Sequence, residues 1–272
     1  MDLGLRDKRA IVTGGSLGIG KAIARELARE GVDVAIVART KDRLEAAAQE
    51  LAAETGRRIL PLAADVTSRE QVDGMVAQAV AQMGGLDILV NSGSPPGGSA
   101  TATGPIESVV DEDLLHDFNV KYVGALRCAR AAIPYMKARG WGRIINISGT
   151  NARNAGNLSG GARNTSLVHL TKTLAVQLGR FGITVNCIHP GVTRTERTPR
   201  LLAARAAELG VPVEEVERRD YAPDSPRGNA IGRMVDASEV AYVAAFLASD
   251  RAWAVSGELV VATGGAGRAV YY

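Results

Sequence analysis

Short apolar runs alternate with longer amphipathic stretches along almost the whole chain. Runs rich in Val, Ile, Leu and Ala near 10–13, 33–38, 58–62, 86–91, 143–148, 183–189 and 258–261 predict strands. Helical periodicity between them predicts helices near 18–30, 41–54, 68–83, 111–139, 160–180 and 236–249. A β-α-β rhythm needs crossover connections, and these are right-handed. The pattern therefore predicts an α/β protein with one doubly wound parallel sheet of about seven strands flanked by helices. No internal repeat or low-complexity tract interrupts it.

Two segments break the rhythm. Residues 92–104 are rich in Ser, Gly and Pro and predict a loop after the fourth strand. Residues 193–233 are longer than a usual connection and hold a polar amphipathic piece at 201–219. Loops of that length are often lids or binding loops. Both emerge at the carboxyl ends of strands, where ligands of open α/β sheets bind.

Composition narrows the picture. A chain of 272 residues, 46% hydrophobic and 22% charged, fits a single domain over 1–272, with 193–233 as a lid or substrate loop. Aromatics are only 4%, so aliphatic side chains and Ala build the core. The net charge of +3 is spread thinly and speaks against a nucleic-acid partner, which needs a clustered basic face. The start carries no apolar signal core, and no run of about 18 apolar residues occurs, so a cytoplasmic protein without membrane contact is expected. Cys128 and Cys187 fall in apolar segments and read as buried, reduced thiols. No metal site is predicted.

Thr13-Gly14-Gly15-Ser16-Leu17-Gly18-Ile19-Gly20 follows a predicted strand and opens a predicted helix. Gly14 permits a tight turn, Gly18 lets backbone approach a pyrophosphate, and Gly20 permits close helix–strand packing. Free amides and the positive helix end then favour phosphate charge. The form Thr-Gly-x-x-x-Gly-x-Gly resembles the short-chain dehydrogenase/reductases. Further resemblances follow in order: Asp65-Val66, Asn91-Ser92-Gly93, Asn119, residues 142–148, residues 182–186, Pro190-Gly191 with Thr195, and residues 256–265. Overall the chain is most similar to the 3-oxoacyl-carrier-protein reductases. The resemblance implies a Rossmann-type dinucleotide site. Gly14, Ser16, Leu17, Gly18, Ile19 and Gly20 would hold its phosphates, and Asp65 and Val66 its adenine side. Asn91 and Gly93 would lie beside it, and Pro190, Gly191 and Thr195 on its nicotinamide side.

At the end of the second strand, where NAD sites usually offer a carboxylate to the ribose, stand Ala38, Arg39 and Lys41. A guanidinium that can fork onto a 2′-phosphate favours NADP(H), with NAD(H) the weaker alternative.

The resemblance also implies catalysis by Ser, Tyr and a Lys four residues after the Tyr, helped by a helix Asn. Counting back from Gly182 puts the Tyr and Lys positions at Gly160 and Asn164, whereas counting forward from the fifth strand puts the Tyr position at Gly161 or Ala162. No Tyr lies between Tyr135 and Tyr221 and no Lys between Lys137 and Lys172. Ser148, Asn119 and Asn164 are the remaining candidates, Asn164 also as a ribose partner. Ser148 sits one place before the usual serine, and Asn119 fits a purely structural amide equally well. On a helix, His169 lies about 180° from Gly160, Lys172 roughly 12 Å beyond Asn164, and Arg163 about 100° off the Lys position. A lost general acid is typically worth about 10²–10⁴ in rate.

Three readings follow: a carbonyl/hydroxyl oxidoreductase whose acid is water, substrate or a loop residue such as Tyr221; a cofactor-binding sensor or scaffold; or a lyase or isomerase. Arg194, Arg197, Arg200, Arg205, Arg218, Arg219 and Arg227 crowd the long segment. They suit either an anionic small-molecule substrate or a solvated lid face balanced by glutamates. The family suggests a homotetramer or homodimer built through the helices near 111–139 and 160–180 and the last helix and strand. The Ala269–Tyr272 tail, with Tyr271 and Tyr272, could dock at such an interface or fray.

Overall fold

The computed structural model describes residues 2–94, 97–222 and 224–267. Among the described residues nine strands follow in chain order: β1 (Arg9–Thr13), β2 (Asp33–Ala38), β3 (Ile59–Ala63), β4 (Ile88–Asn91), β5 (Gly142–Ile147), β6 (Ile183–Pro190), β7 (Thr193–Arg194), β8 (Val235–Asp236) and β9 (Leu259–Ala262). Seven form one parallel sheet in the order β3-β2-β1-β4-β5-β6-β9, while β7 and β8 pair separately. Each central strand is buried on both faces. This is why these strands read as continuous apolar runs instead of alternating ones.

The helices are α1 (Gly18–Arg29), α2 (Lys41–Thr55), α3 (Arg69–Met83), α4 (Asp111–Phe118), α5 (Gly124–Arg139), α6 (Leu158–Leu178), α7 (Thr198–Leu209), α8 (Val213–Asp220) and α9 (Ala237–Ala248). Strand side chains divide between two layers. Val12, Ile36, Val90, Ile145 and Ile188 pack on α1, α2 and α9. Ile11, Val37, Leu89, Ile144 and Val185 pack on α3, α5 and α6. The strand order reverses between β1 and β4, whose neighbours lie on opposite sides, and this switch point is where an open sheet leaves a crevice.

Three expectations change. The helix expected over 111–139 is two helices joined by a π-turn, Asn119–Val123, in which the Gly124 amide reaches back five residues to the Asn119 carbonyl. The amphipathic piece at 201–219 is likewise two helices, α7 and α8, separated by Gly210 at φ 63°. Strands β7 and β8, two residues each, escaped sequence reading because they are too short to show a period. The Ala269–Tyr272 tail lies outside the described residues.

The amino-end edge of the sheet is held by charge. Asp87, almost fully buried, accepts from the Arg9 backbone N–H at 2.9 Å and from Arg9 Nε at 2.7 Å, and pairs with Arg139 Nε at 3.0 Å. Across the sheet the buried Arg143 lies over the Trp141 ring at 4.1 Å and pairs with Asp250 at 3.0 Å.

Candidate active site

At the carboxyl ends of β1, β2, β4, β5 and β6 lies a cleft of about 500 Å³. Its first wall is the turn from β1 into α1. Gly14 (φ 69°) and Gly18 (φ 58°) take the left-handed backbone that glycine tolerates. A Cβ on Gly20 would stand 2.3 Å from the Gly14 carbonyl oxygen, so the turn closes only with glycine there. Leu17, extended at the N-cap of α1, offers no side-chain acceptor to the helix amides. The acceptor comes instead from the segment after β7: Glu196 Oε2 takes the Gly18 N–H at 2.9 Å. A carboxylate thus already occupies the anion-binding end of α1.

The second wall is Ala38, Arg39, Thr40 and Arg43. Lys41, read from sequence beside Arg39, is instead exposed and pairs with Glu45 at 3.8 Å. Arg43, in the first turn of α2, is the cation that sequence reading missed, and it lines the cleft with Arg39. Arg39 also borders a small hollow with Ala63, Ala64, Asp65 and Gln71. Burial raises the Asp65 carboxyl, but hydrogen bonds from Thr67 and the charges of Arg39 and His116 outweigh this and hold it below its ordinary value.

Of the other proposed cofactor residues, Ser16, Leu17, Ile19, Pro190, Gly191 and Thr195 line the cleft. Asn91, Gly93 and Val66 stand behind it. Asn91 Nδ2 donates to Asn146 Oδ1 at 2.9 Å, and Gly93 N–H donates to Thr13 Oγ1 at 3.1 Å. Val66 packs in the α3–α5 layer, where a Cβ on Gly124 would meet it at 2.9 Å.

The third wall holds the candidate chemistry. Ser148, buried at the end of β5, donates its hydroxyl to the Asn164 carbonyl at 3.0 Å. Asn157 caps α6 by accepting the Gly160 N–H at 2.6 Å, which places Gly160 in the first helical turn and Asn164 one turn on. The Asn164 amide faces Gly149: a Cβ on Gly149 would lie 2.9 Å from Asn164 Nδ2. Asn164 Oδ1 is buried without a hydrogen-bond partner among the described residues.

Asn119 does not reach this wall. Its Oδ1 accepts from Arg127 Nη1 at 2.8 Å, on the far side of the π-turn. Arg163, by contrast, lines the cleft, bonds Ser94 Oγ at 3.2 Å and lies 4.0 Å from Asp117. The rotation of about 100° from Asn164 is as expected, but the cleft wraps round α6 far enough to include both rows. Burial raises Asp117, yet hydrogen bonds from Ser159 and Ser99 and the Arg163 charge hold it below the usual carboxylate range.

Tyr221, at the C-cap of α8, is buried and does not line the cleft, and burial pushes its hydroxyl pKa up. His169 is exposed, and Lys172 pairs with Glu258 at 3.3 Å. Most of the arginines at 194–227 are answered locally: Arg194 by Glu217 and Asp236, Arg205 by Glu208, Arg218 and Arg219 by Glu215, Arg227 by Asp220. Arg197 lines the cleft. Both cysteines are buried free thiols, pushed up to about 12 by burial. Among the described residues no helix is long and apolar enough to cross a membrane.

A glycine-rich turn at the switch point of a seven-stranded parallel sheet defines a dinucleotide-binding α/β class. The chain belongs to the short-chain dehydrogenase family, whose model matches residues 8–206. It is 30% identical over 266 residues to the NADPH-dependent reductase BacG of Bacillus subtilis, covering 97% of this chain and 99% of that one. It is 32% identical over 263 residues to the D-beta-hydroxybutyrate dehydrogenase of Cupriavidus necator, covering 96% and 98%. The L-sorbose reductase of Gluconobacter frateurii, solved with NADPH and L-sorbose, superposes with a TM-score of 0.88 at 33% identity, over 97% of this chain and 98% of that one.

Proposed function

We propose that the protein is an NADP(H)-dependent oxidoreductase that interconverts a carbonyl and a hydroxyl on a small molecule, at a site where Gly160 and Asn164 stand in the family's Tyr and Lys positions. The observation that carries the reading is one cleft joining the glycine-rich turn, the Arg39–Arg43 pair and the Ser148–Asn164 wall. The residues fit the cofactor, since the N-cap Leu17 offers the α1 amides no acceptor of its own and the Gly18 N–H already donates to an anion, the Glu196 carboxylate. When bound, the reduced nicotinamide supplies a hydride. The α1 turn would hold the phosphates, Asp65 would border the adenine, and Pro190, Gly191 and Thr195 would flank the nicotinamide. Ser148 and Asn164 would orient the reacting oxygen.

Arg39 and Arg43 select a 2′-phosphate over a bare ribose hydroxyl. Charge-assisted hydrogen bonds are worth about 1.5–3 kcal/mol, so Arg39→Ala with Arg43→Ala should weaken NADPH about 10–100-fold and leave NADH unchanged. Fluorescence titration with each nucleotide reads this. Equal losses for both nucleotides would overturn the NADP(H) assignment.

Glu196 competes with the cofactor for the helix end. A charge there is worth about 0.3–1 kcal/mol, so Glu196→Gln should tighten NADPH about 2–5-fold in the same titration.

The test of the reaction is NADPH oxidation with ethyl 3-oxobutanoate, cyclohexanone and L-sorbose. Tight binding without turnover of any of them would turn the reading toward a sensor or scaffold.

The assembly the family suggests is a homotetramer or homodimer through α4–α6 and the α9–β9 edge. Leu115 on α4, Val176 on α6, and Tyr242 and Phe246 on α9 are exposed apolar positions suited to it. Light scattering giving a mass of 28.4 kDa would exclude it.

A further inference from the structure

One cation in the cleft is not among the candidate site residues read from sequence. Lys121 sits in the π-turn, half-buried in the cleft wall beside Ser148, Asn164 and Arg163. Its Nζ donates to the Ser148 carbonyl oxygen at 3.1 Å. An ammonium has three protons, and among the described residues no carboxylate pairs with this one. A π-turn widens the helix by one residue per turn and often marks a functional site.

We propose that Lys121 is the proton donor of this site, giving a proton from Nζ to the oxygen of a bound carbonyl as hydride reaches the carbonyl carbon. The inference rests on the hydride-transfer reading above. Its balance is complete. The hydride forms the new C–H bond, the carbonyl π pair moves to oxygen, and the Nζ–H bond breaks to give the hydroxyl. Neutral Lys121 then regains a proton from solvent. In the reverse direction the amine takes the hydroxyl proton.

The surroundings suit this role. α6 presents Arg163 to Lys121, β6 presents Cys187 and His189, and β5 presents the Ser148 carbonyl. Desolvation, then the Arg163 charge, lower Lys121 to about 7, with Cys187 pulling weakly the other way. Burial and the charges of Arg153 and Lys121 lower His189 to about 4, so it is neutral beside Lys121. Both its ring nitrogens are buried without a hydrogen-bond partner among the described residues. An acid with a pKa near neutrality is poised for general catalysis, and a desolvated lysine beside another cation reaches that range.

The experiment uses the full chain labelled with ¹³C-lysine, with and without NADPH. The Lys121 Cε signal, assigned by its loss in Lys121→Met, is followed through the neutral and alkaline range beside the kcat profile for the three carbonyl probes. The signal is expected to titrate near 7. The reduction rate should fall as pH rises through the same value. Lys121→Met should lose about 10²–10³-fold in kcat with NADPH affinity retained. Lys121→Arg, which keeps the charge but holds its proton, should be comparably slow and lack the alkaline limb. A Lys121 signal titrating in the ordinary lysine range, or a Lys121→Met protein with wild-type kcat, overturns the proposal alone. A wild-type protein that binds NADPH and reduces none of the probes overturns the hydride-transfer reading, and this proposal with it.

Discussion

Gly20→Ala should weaken NADPH binding, raising the dissociation constant by about 10–100-fold. The added Cβ would stand 2.3 Å from the Gly14 carbonyl oxygen and 2.8 Å from its carbonyl carbon. Both are backbone atoms of the turn itself, so no side chain can swing away to make room. The turn must open, and its amides move off the positions from which they would meet phosphate. Losing one charge-assisted hydrogen bond of about 1.5–3 kcal/mol accounts for one to two orders of magnitude. Overpacking itself costs about 1–3 kcal/mol of stability. Gly74→Ala in α3 is the control, because nothing lies within 4 Å of its new methyl group. There the helix should gain about 0.5–1 kcal/mol. Titration of NADPH into both variants, with urea unfolding alongside, separates the loss of the site from the loss of the fold. A Gly20→Ala protein that binds NADPH normally would show that the turn is not the phosphate site.

Asp87→Ala should cost about 3 kcal/mol of stability while leaving the cleft untouched. Removing one partner of a buried ion pair costs about 3–5 kcal/mol, because the other is left uncompensated. Here the lower end applies: Arg139 is 44% exposed and can return to water, whereas Arg9 is only 16% exposed. The Arg9 amide also loses its 2.9 Å acceptor, at the first residue of β1. Arg139→Ala, which leaves the Arg9 bonds intact, should cost less than about 1 kcal/mol. Urea midpoints read both. Equal midpoints for Asp87→Ala and wild type would mean that the buried carboxylate is already compensated by something other than Arg9.

The central strands are legible in sequence because burial on both faces favours aliphatic runs, as in Ile88, Leu89 and Val90 of β4. The glycine-rich turn is legible because backbone geometry admits few other residues at Gly14, Gly18 and Gly20. What the chemistry needs is less visible. Lys121 reads as one lysine within a long amphipathic helix, since nothing in Asn119–Val123 announces that the helix widens there. Arg163 fails a calculation made from a single helix row, although the cleft spans more than one. Arg43 and Lys41 are equally basic in sequence, and only the entry of the chain into α2 decides which of them meets the cleft. Tyr221 looks like an available phenol in sequence, yet at the C-cap of α8 it is buried away from the cleft.

The 2.9 Å bond from Gly18 to Glu196 joins two parts of the chain 178 residues apart. It couples the position of the segment after β7 to the α1 terminus, because Glu196 and a phosphate would compete for the same Gly18 N–H. Linkage between such sites is reciprocal. Whatever draws that segment off Glu196's present seat strengthens the cofactor, and the cofactor in turn loosens the segment by the same free energy. Conversely, a compound that pinned the segment where it now rests would act as an antagonist of a cofactor whose atoms it never meets.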